Sequence, residues 1–154
     1  MDESKIILRA YGIIIDDNGR VLVCDERING WCLTKFPGGG LEFGEGLLDC
    51  VRREFMEELT LELNRVDHFY TTDFFQPSVF NPLHQIICVY YLVSPKDIND
   101  IKAVEQKFDF PEGKNDALTT RWIAWSELHP DHVTLPIDKQ VVEKLTQYLR
   151  SHYA

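Results

Sequence analysis

GGLEFGEGLLDCVRREFMEELTL, residues Gly39–Leu61, holds the pattern from which the rest of the 154-residue chain is best read. From about Gly44 to Leu59, the residues Leu47, Leu48, Val51, Phe55 and Leu59 recur at helical spacing and predict a helix with one apolar stripe. Beside that stripe Glu54, Glu57 and Glu58 stand at i, i+3 and i+4, so three carboxylates share one helical turn. Like charges at this spacing cost an isolated helix about 0.2–0.5 kcal/mol per pair. A hard divalent cation, which prefers several oxygen ligands, reverses that penalty. A solvated acidic face is the competing reading of three glutamates taken alone. Against it, Gly38-Gly39-Gly40 lies just upstream, where bare backbone can approach a phosphate or offer a carbonyl to a metal. Glu45 and Arg53, eight residues apart, are close to two turns from one another. Loop and helix form one candidate site.

Outward from this stretch the chain reads mainly as strands. Residues 6–15 are rich in β-branched side chains, and Asp16-Asp17-Asn18-Gly19 followed by Arg20-Val21-Leu22-Val23-Cys24 predicts a hairpin into a second strand. Trp31–Phe36 reads as a short extended segment running into a flexible glycine loop at a sharp turn. Strands are expected at His68–Phe74, Gln85–Val93 and Thr119–Trp125. A last helix is expected from about Pro136 to Arg150, with Val141, Val142, Leu145, Tyr148 and Leu149 on its apolar side. Strands with helices at two separate places predict an α/β domain in which a mixed sheet lies between helical layers. The length suits one domain spanning residues 1–154, with no repeat, linker or low-complexity tract.

Composition narrows the partners. The 16 Lys and Arg face 25 Asp and Glu, a net charge of −9, and no basic block tracks a nucleic-acid polymer. A small polyphosphate remains compatible if divalent cations stand between it and the carboxylates. The acidic start Met1-Asp2-Glu3-Ser4-Lys5 and the interruption at Arg9 do not form a signal-peptide core, and the longest apolar run, Ile86–Val93, is 8 residues, well short of a membrane span. A soluble cytoplasmic protein without a membrane partner is expected. Cys24, Cys32, Cys50 and Cys88 are scattered and read as reduced packing thiols, Cys50 falling on the carboxylate side of the helix. His129-Pro130-Asp131-His132 has no third ligand at useful spacing and reads as a surface turn.

Written as Gly39, five residues, Glu45, seven residues, then Arg53-Glu54-Phe55-Met56-Glu57-Glu58-Leu59-Thr60-Leu61, the stretch resembles the Nudix box of the Nudix hydrolase superfamily. One defining position departs from it: Thr60 stands where the family has glycine. The resemblance implies the family's α/β/α sandwich and a pyrophosphohydrolase that cleaves a phosphoanhydride in a nucleoside diphosphate-linked substrate. It implies Mg²⁺, with Mn²⁺ as substitute, held by Glu57, Glu54, Glu58 and the Gly38 carbonyl, with Arg53 and Glu45 as orienting partners. The general base is either a box glutamate or an acid on a later loop, for which Asp116 is the candidate and a turn with Asn115 the alternative. Glu105, Asp109 and Glu112 are weaker rivals on that loop. Pro77, sixteen residues past the box, lies near where ADP-ribose pyrophosphatases of the family carry a proline, which points to ADP-ribose or a related conjugate. Nucleoside triphosphate hydrolysis and a non-catalytic nucleotide-sensing role are the alternatives, and a homodimer stays open. Of the aromatics near the site, Phe43, Phe74, Phe75 and Phe80 read as core more readily than as a stacking surface. A left-handed threonine at residue 60 costs about 1–2 kcal/mol, so strain or an altered helix exit is expected there.

Overall fold

The computed structural model describes residues 3–153, so Met1, Asp2 and Ala154 of the expected domain lie outside the described residues. The first β-branched run forms strand β1 (Lys5–Ile13), and the predicted turn leads into β2 (Arg20–Ile28). Asp16 shapes that turn, its Oδ1 accepting the N–H groups of Asn18 at 3.0 Å and Arg20 at 2.7 Å. The expected hairpin is only begun. Leu22 N donates to Ile14 O at 3.0 Å and Ile15 bridges Val21, after which the two strands enter different sheets. Turn chemistry dictates the chain reversal, whereas tertiary packing decides how far the strands stay paired.

The mixed sheet is therefore divided in two. One has four strands in the order β4-β1-β6-β5, with β4 at Gly38–Gly40, β5 at Leu63–Thr71 and β6 at His84–Pro95. Here β1 and β6 run parallel and the other pairs antiparallel. The second sheet is antiparallel, in the order β3-β2-β7, with β3 at Trp31–Lys35 and β7 at Ala117–Ala124. The glycine loop is corrected to a strand: β4 pairs with β1, placing Gly40 opposite Arg9 and Gly38 opposite Tyr11.

Alternation along the strands supplies two cores. Tyr11, Ile13, Val21, Val23, Cys88 and Tyr90 pack with Val141, Val142, Leu145 and Leu149 of helix α2 (Pro136–Tyr153). Their sequence neighbours Ala10, Ile14, Leu22, Val89 and Tyr91 point the other way, onto Val51 and Phe55 of helix α1 (Leu47–Leu59). Helices thus cover both faces, as the α/β reading requires. Among the described residues no helix is long and apolar enough to cross a membrane.

Helix α1 starts three residues later than expected, and its buried arc is shifted. Cys50 is fully buried while Leu48 is 49% exposed. The glycines of β4 explain the shift: Cys50 Sγ lies 3.8 and 3.5 Å from the Gly39 and Gly40 carbonyls, a close seat that leaves the Leu48 flank to solvent. At its far end α1 does exit through a left-handed residue. Thr60 has φ 51° and ψ 44°, its N–H donates to Met56 O and the Leu61 N–H to Phe55 O. The strained option holds, and the exit keeps the hand a glycine would take.

Candidate active site

Burial of the three glutamates follows from their place around α1. At about 100° per residue, with Val51 as the centre of the buried arc, Glu58 falls about 20° away, Glu54 about 60° and Glu57 about 120°, all on the Cys50 flank. The side chain of Glu54 is accordingly 12% exposed and that of Glu57 59% exposed. Glu58 reaches furthest inward. Burial pushes its carboxyl up to about 7 against the pull of nearby Lys35, and its Oε2 is buried without a hydrogen-bond partner.

The carboxylate flank faces β4. A side chain at Gly39 would put its Cβ 2.5 Å from the Glu54 carboxyl carbon, so the bare backbone lets Glu54 lie against β4, and any larger residue there would push that carboxyl aside. Arg53 ties the site together. Its guanidinium donates to both oxygens of Glu45 at 2.9 and 2.7 Å, to Gly40 O at 3.0 Å, to Glu54 Oε1 at 2.9 Å and to Glu57 Oε2 at 3.2 Å. The bidentate contact holds the Glu45 carboxyl down at about 2 and raises the Arg53 guanidinium. Opposite Arg53, Lys35 is nearly buried, donating to Gly38 O at 3.1 Å and pairing with Glu26 at 3.5 Å.

Comparison with known proteins places this arrangement. The NUDIX domain family matches residues 6–145. The chain belongs to the Nudix family. No curated relative matches it by sequence. Among solved structures it is similar to the Escherichia coli ORF135 protein, at 19% identity and a TM-score of 0.67, covering 97% of this chain and 94% of that one. It is also similar to the MutT Nudix hydrolase of Burkholderia pseudomallei, at 18% identity and a TM-score of 0.65, covering 92% and 98%. A Nudix hydrolase of Nitrosomonas europaea matches at 17% identity and a TM-score of 0.63, covering 92% and 89%. At these identities the structural likeness speaks for the fold. Family membership makes the chain a hydrolase acting on phosphorus-containing anhydrides, and Nudix hydrolases generally use divalent cations such as Mg²⁺.

The Nudix box residues fit such a cation. Carboxylate and carbonyl oxygens are the donors a hard ion prefers, and Glu58 Oε2 is a buried acceptor with no protein partner. Among the described residues no three His, Cys, Asp or Glu side chains form a ready cage, because Glu54 and Glu57 are both turned onto Arg53.

Where the two sheets diverge, a cleft of about 240 Å³ opens from Glu54 and Glu58 past Gly38–Gly40 to the start of α2. Pro77 and Phe80 stand on its wall. Phe80 is 59% exposed and meets Trp31 edge to face at 5.4 Å, while Phe43, Phe74 and Phe75 are exposed and away from the cleft. The core expectation for these four aromatics is thus corrected, since they sit on exposed loops outside both packed cores.

Asp116 is not brought to the carboxylates. Its Oδ1 accepts the Asn29 N–H at 3.2 Å, which makes it a fastener of the β2–β3 turn, and it does not line the cleft. Glu105, Asp109 and Glu112 are likewise exposed and absent from its wall. His129 and His132 cap a single 3-10 turn with their own ring nitrogens, as a surface turn should. Sequence reasoning missed Arg9, Tyr11, Glu26, Lys35, Tyr90 and Asp138, all of which line the cleft. Arg9 alone left a trace, as the one charge inside an apolar run. Asp138 reads from sequence as an ordinary acid in a first helical turn.

Proposed function

We propose that the chain is a Mg²⁺-dependent pyrophosphohydrolase whose substrate is a nucleoside diphosphate conjugate of the ADP-ribose type, with residues 1–154 acting as one catalytic domain. The observation behind this reading is the Arg53 hub, which lays Glu54 and Glu57 along a bare glycine strand beside the unpartnered Oε2 of Glu58. When bound, the cation would supply positive charge to the phosphoryl oxygens and acidify a coordinated water. Glu54, Glu57, Glu58 and the Gly38 carbonyl would hold it. Arg53 and Glu45 position those carboxylates, with Arg53 releasing Glu57 more easily than Glu54 because its contact with Glu57 is the longer and the more exposed of the two. With Asp116 fastened to Asn29, the proton of the attacking water passes to a box glutamate.

Two features favour a conjugate of a nucleoside diphosphate. Pro77 lies on the cleft wall, and Asp138 Oδ2, buried and without a partner at the inner end, is an acceptor open to an N–H group of a base. The four free cysteines, three of them buried, suit a reducing cytoplasmic compartment.

The test is a panel of ADP-ribose, nucleotide sugars, dinucleoside polyphosphates and nucleoside triphosphates in Mg²⁺, followed by Glu57→Gln on the best substrate. The rate is expected to fall about a hundredfold or more. An unchanged rate would overturn the assignment, and cleavage of triphosphates alone would overturn the choice of substrate.

A further inference from the structure

The cleft is rich in carboxylates, with Glu26, Glu54, Glu58 and Asp138 on its walls, yet its ligand is proposed to be a polyanion. Two cationic side chains face them. Lys35 is already committed to Gly38 O and Glu26. Arg9 is not. Its Nε donates to the Tyr11 hydroxyl at 2.5 Å, and among the described residues no carboxylate pairs with its guanidinium. Among the described residues its two terminal nitrogens have no other acceptor either, while the side chain lines the cleft.

The fork is also held in place. Tyr11 is 3% exposed and stacks on Tyr90 at 5.2 Å, so the hydroxyl that takes the Arg9 Nε–H is fixed by the core. The guanidinium carbon lies 5.6 Å from the Tyr11 ring centroid. Across the sheet Gly40 is the register partner of Arg9, and a Cβ there would stand 3.8 Å from Nη1, so the glycine strand leaves the approach to the fork open. Glu54 is near enough for its charge to favour the Arg9 cation. A fixed guanidinium with its Nε occupied and its terminal nitrogens free presents the geometry that grips two oxygens of one phosphate.

We infer that Arg9 is a substrate-binding residue that receives the non-bridging oxygens of the phosphate lying inward of the one held at the box carboxylates. The ligand class is a diphosphate, and the inference rests on the hydrolase reading for that character. Tyr11 acts as the positioning residue of Arg9.

The probe is methylenediphosphonate, a diphosphate whose bridge does not hydrolyse, titrated calorimetrically in Mg²⁺ into wild type, Arg9→Met, Arg9→Lys and Tyr11→Phe. Arg9→Met is expected to weaken binding about tenfold or more, and Arg9→Lys, which keeps the charge without the fork, by a smaller factor. On the best substrate of the panel, KM should rise more than kcat falls, a split that a purely structural arginine would not produce. Unchanged affinity in Arg9→Met, or no binding of the probe to wild type, overturns the inference and leaves hydrolysis by wild type to stand by itself. Affinity lost in Arg9→Met while wild type cleaves nothing on the panel supports the anion site and overturns the hydrolase reading. If Arg9→Met does not fold, Arg9→Lys decides, and wild-type affinity in that variant overturns the inference.

Discussion

Asp25 and Asp138 are both buried carboxylates, at 0% and 1% exposure, and they do opposite things. Asp25, on β2, is saturated. Its oxygens accept from Thr34 Oγ1 at 2.8 Å, Phe108 N at 3.1 Å, and Arg121 Nε and Nη2 at 2.9 and 3.0 Å. It ties β3, β7 and the loop before β7 to β2, and these contacts hold its carboxyl below the ordinary range even though burial opposes them. Asp138, in the first turn of α2, has one well-formed bond, accepted from the Tyr90 hydroxyl, and an Oδ2 with no partner. Burial pushes it up to about 6, against the pull of Tyr90, Lys35, the Phe36 backbone N–H and Arg9. Saturation marks a carboxylate that belongs to the scaffold, whereas an unpaired oxygen on a cleft wall is an acceptor that the scaffold does not use.

The largest effect expected from this contrast is Asp25→Ala. It strands Arg121, whose side chain is 13% exposed, together with the Thr34 hydroxyl and the Phe108 N–H. Removing one member of a buried ion pair costs about 3–5 kcal/mol. The urea midpoint should fall accordingly, and a loss under about 1 kcal/mol would break the distinction drawn here.

The same contrast shows why sequence carried the site only part of the way. The box was legible because its chemistry is local: three glutamates and an arginine on one helix face are fixed by helical periodicity alone. Both α-helices and most strands were legible from their periods for the same reason, whereas β4, three glycines with no side chains to alternate, was not. Cleft residues such as Arg9, Lys35, Tyr90 and Asp138 come from β1, β3, β6 and α2, and only the packing of two sheets brings them together. Asp116 shows the reverse case. An acid just before a strand reads equally as a base or as a turn residue, and its oxygen is taken by the β2–β3 turn, a contact across 87 positions that no local pattern encodes. The division of the sheet was hidden likewise, since Asn18-Gly19 specifies a reversal and nothing about which strands pair beyond it.

Opposite shifts predict opposite pH dependences. Asp25, lowered in the folded state, stabilises fully above its unfolded value near 3.8, and that contribution is lost as pH falls through its lower folded value. Asp138, raised to about 6, favours the folded state when protonated, so stability declines as pH rises from about 4 to about 6 and is level above that. Asp138→Asn should flatten this decline, and the thermal midpoint measured between pH 4 and 7 checks it. Glu58, raised to about 7, adds a slope of the same sign, so the comparison is made in a Glu58→Gln background without metal. The other charged or titratable groups around Asp138 are Tyr90 and Cys88 from β6, Tyr11 and Arg9 from β1, and Lys35 from β3. The two tyrosines and the thiol are pushed up by burial and the two cations are raised, so none of them titrates across this window. An unchanged slope in Asp138→Asn would show that Asp138 is not the group responsible.

The smallest effects give the sharpest comparison, because one hydroxyl can be deleted from each carboxylate. Thr34→Val removes one of four donors to Asp25 and leaves three, so the charge stays well solvated by protein and the loss should be about 1 kcal/mol or less. Tyr90→Phe removes the one well-formed bond to Asp138, with both oxygens then lacking a close donor. Hydrogen bonds to charged groups contribute about 1.5–3 kcal/mol, so at pH 7.5 the second deletion should cost more than the first. It should also carry the Asp138 carboxyl further upward, since the hydroxyl is the strongest of the contacts that favour its charge. Urea midpoints compare the two losses, and carboxyl carbon shifts in an NMR titration follow the pKa. Equal losses, or an Asp138 titration that does not move in Tyr90→Phe, would mean that the orphaned oxygen has a partner in solution and that Asp138 is as much scaffold as Asp25.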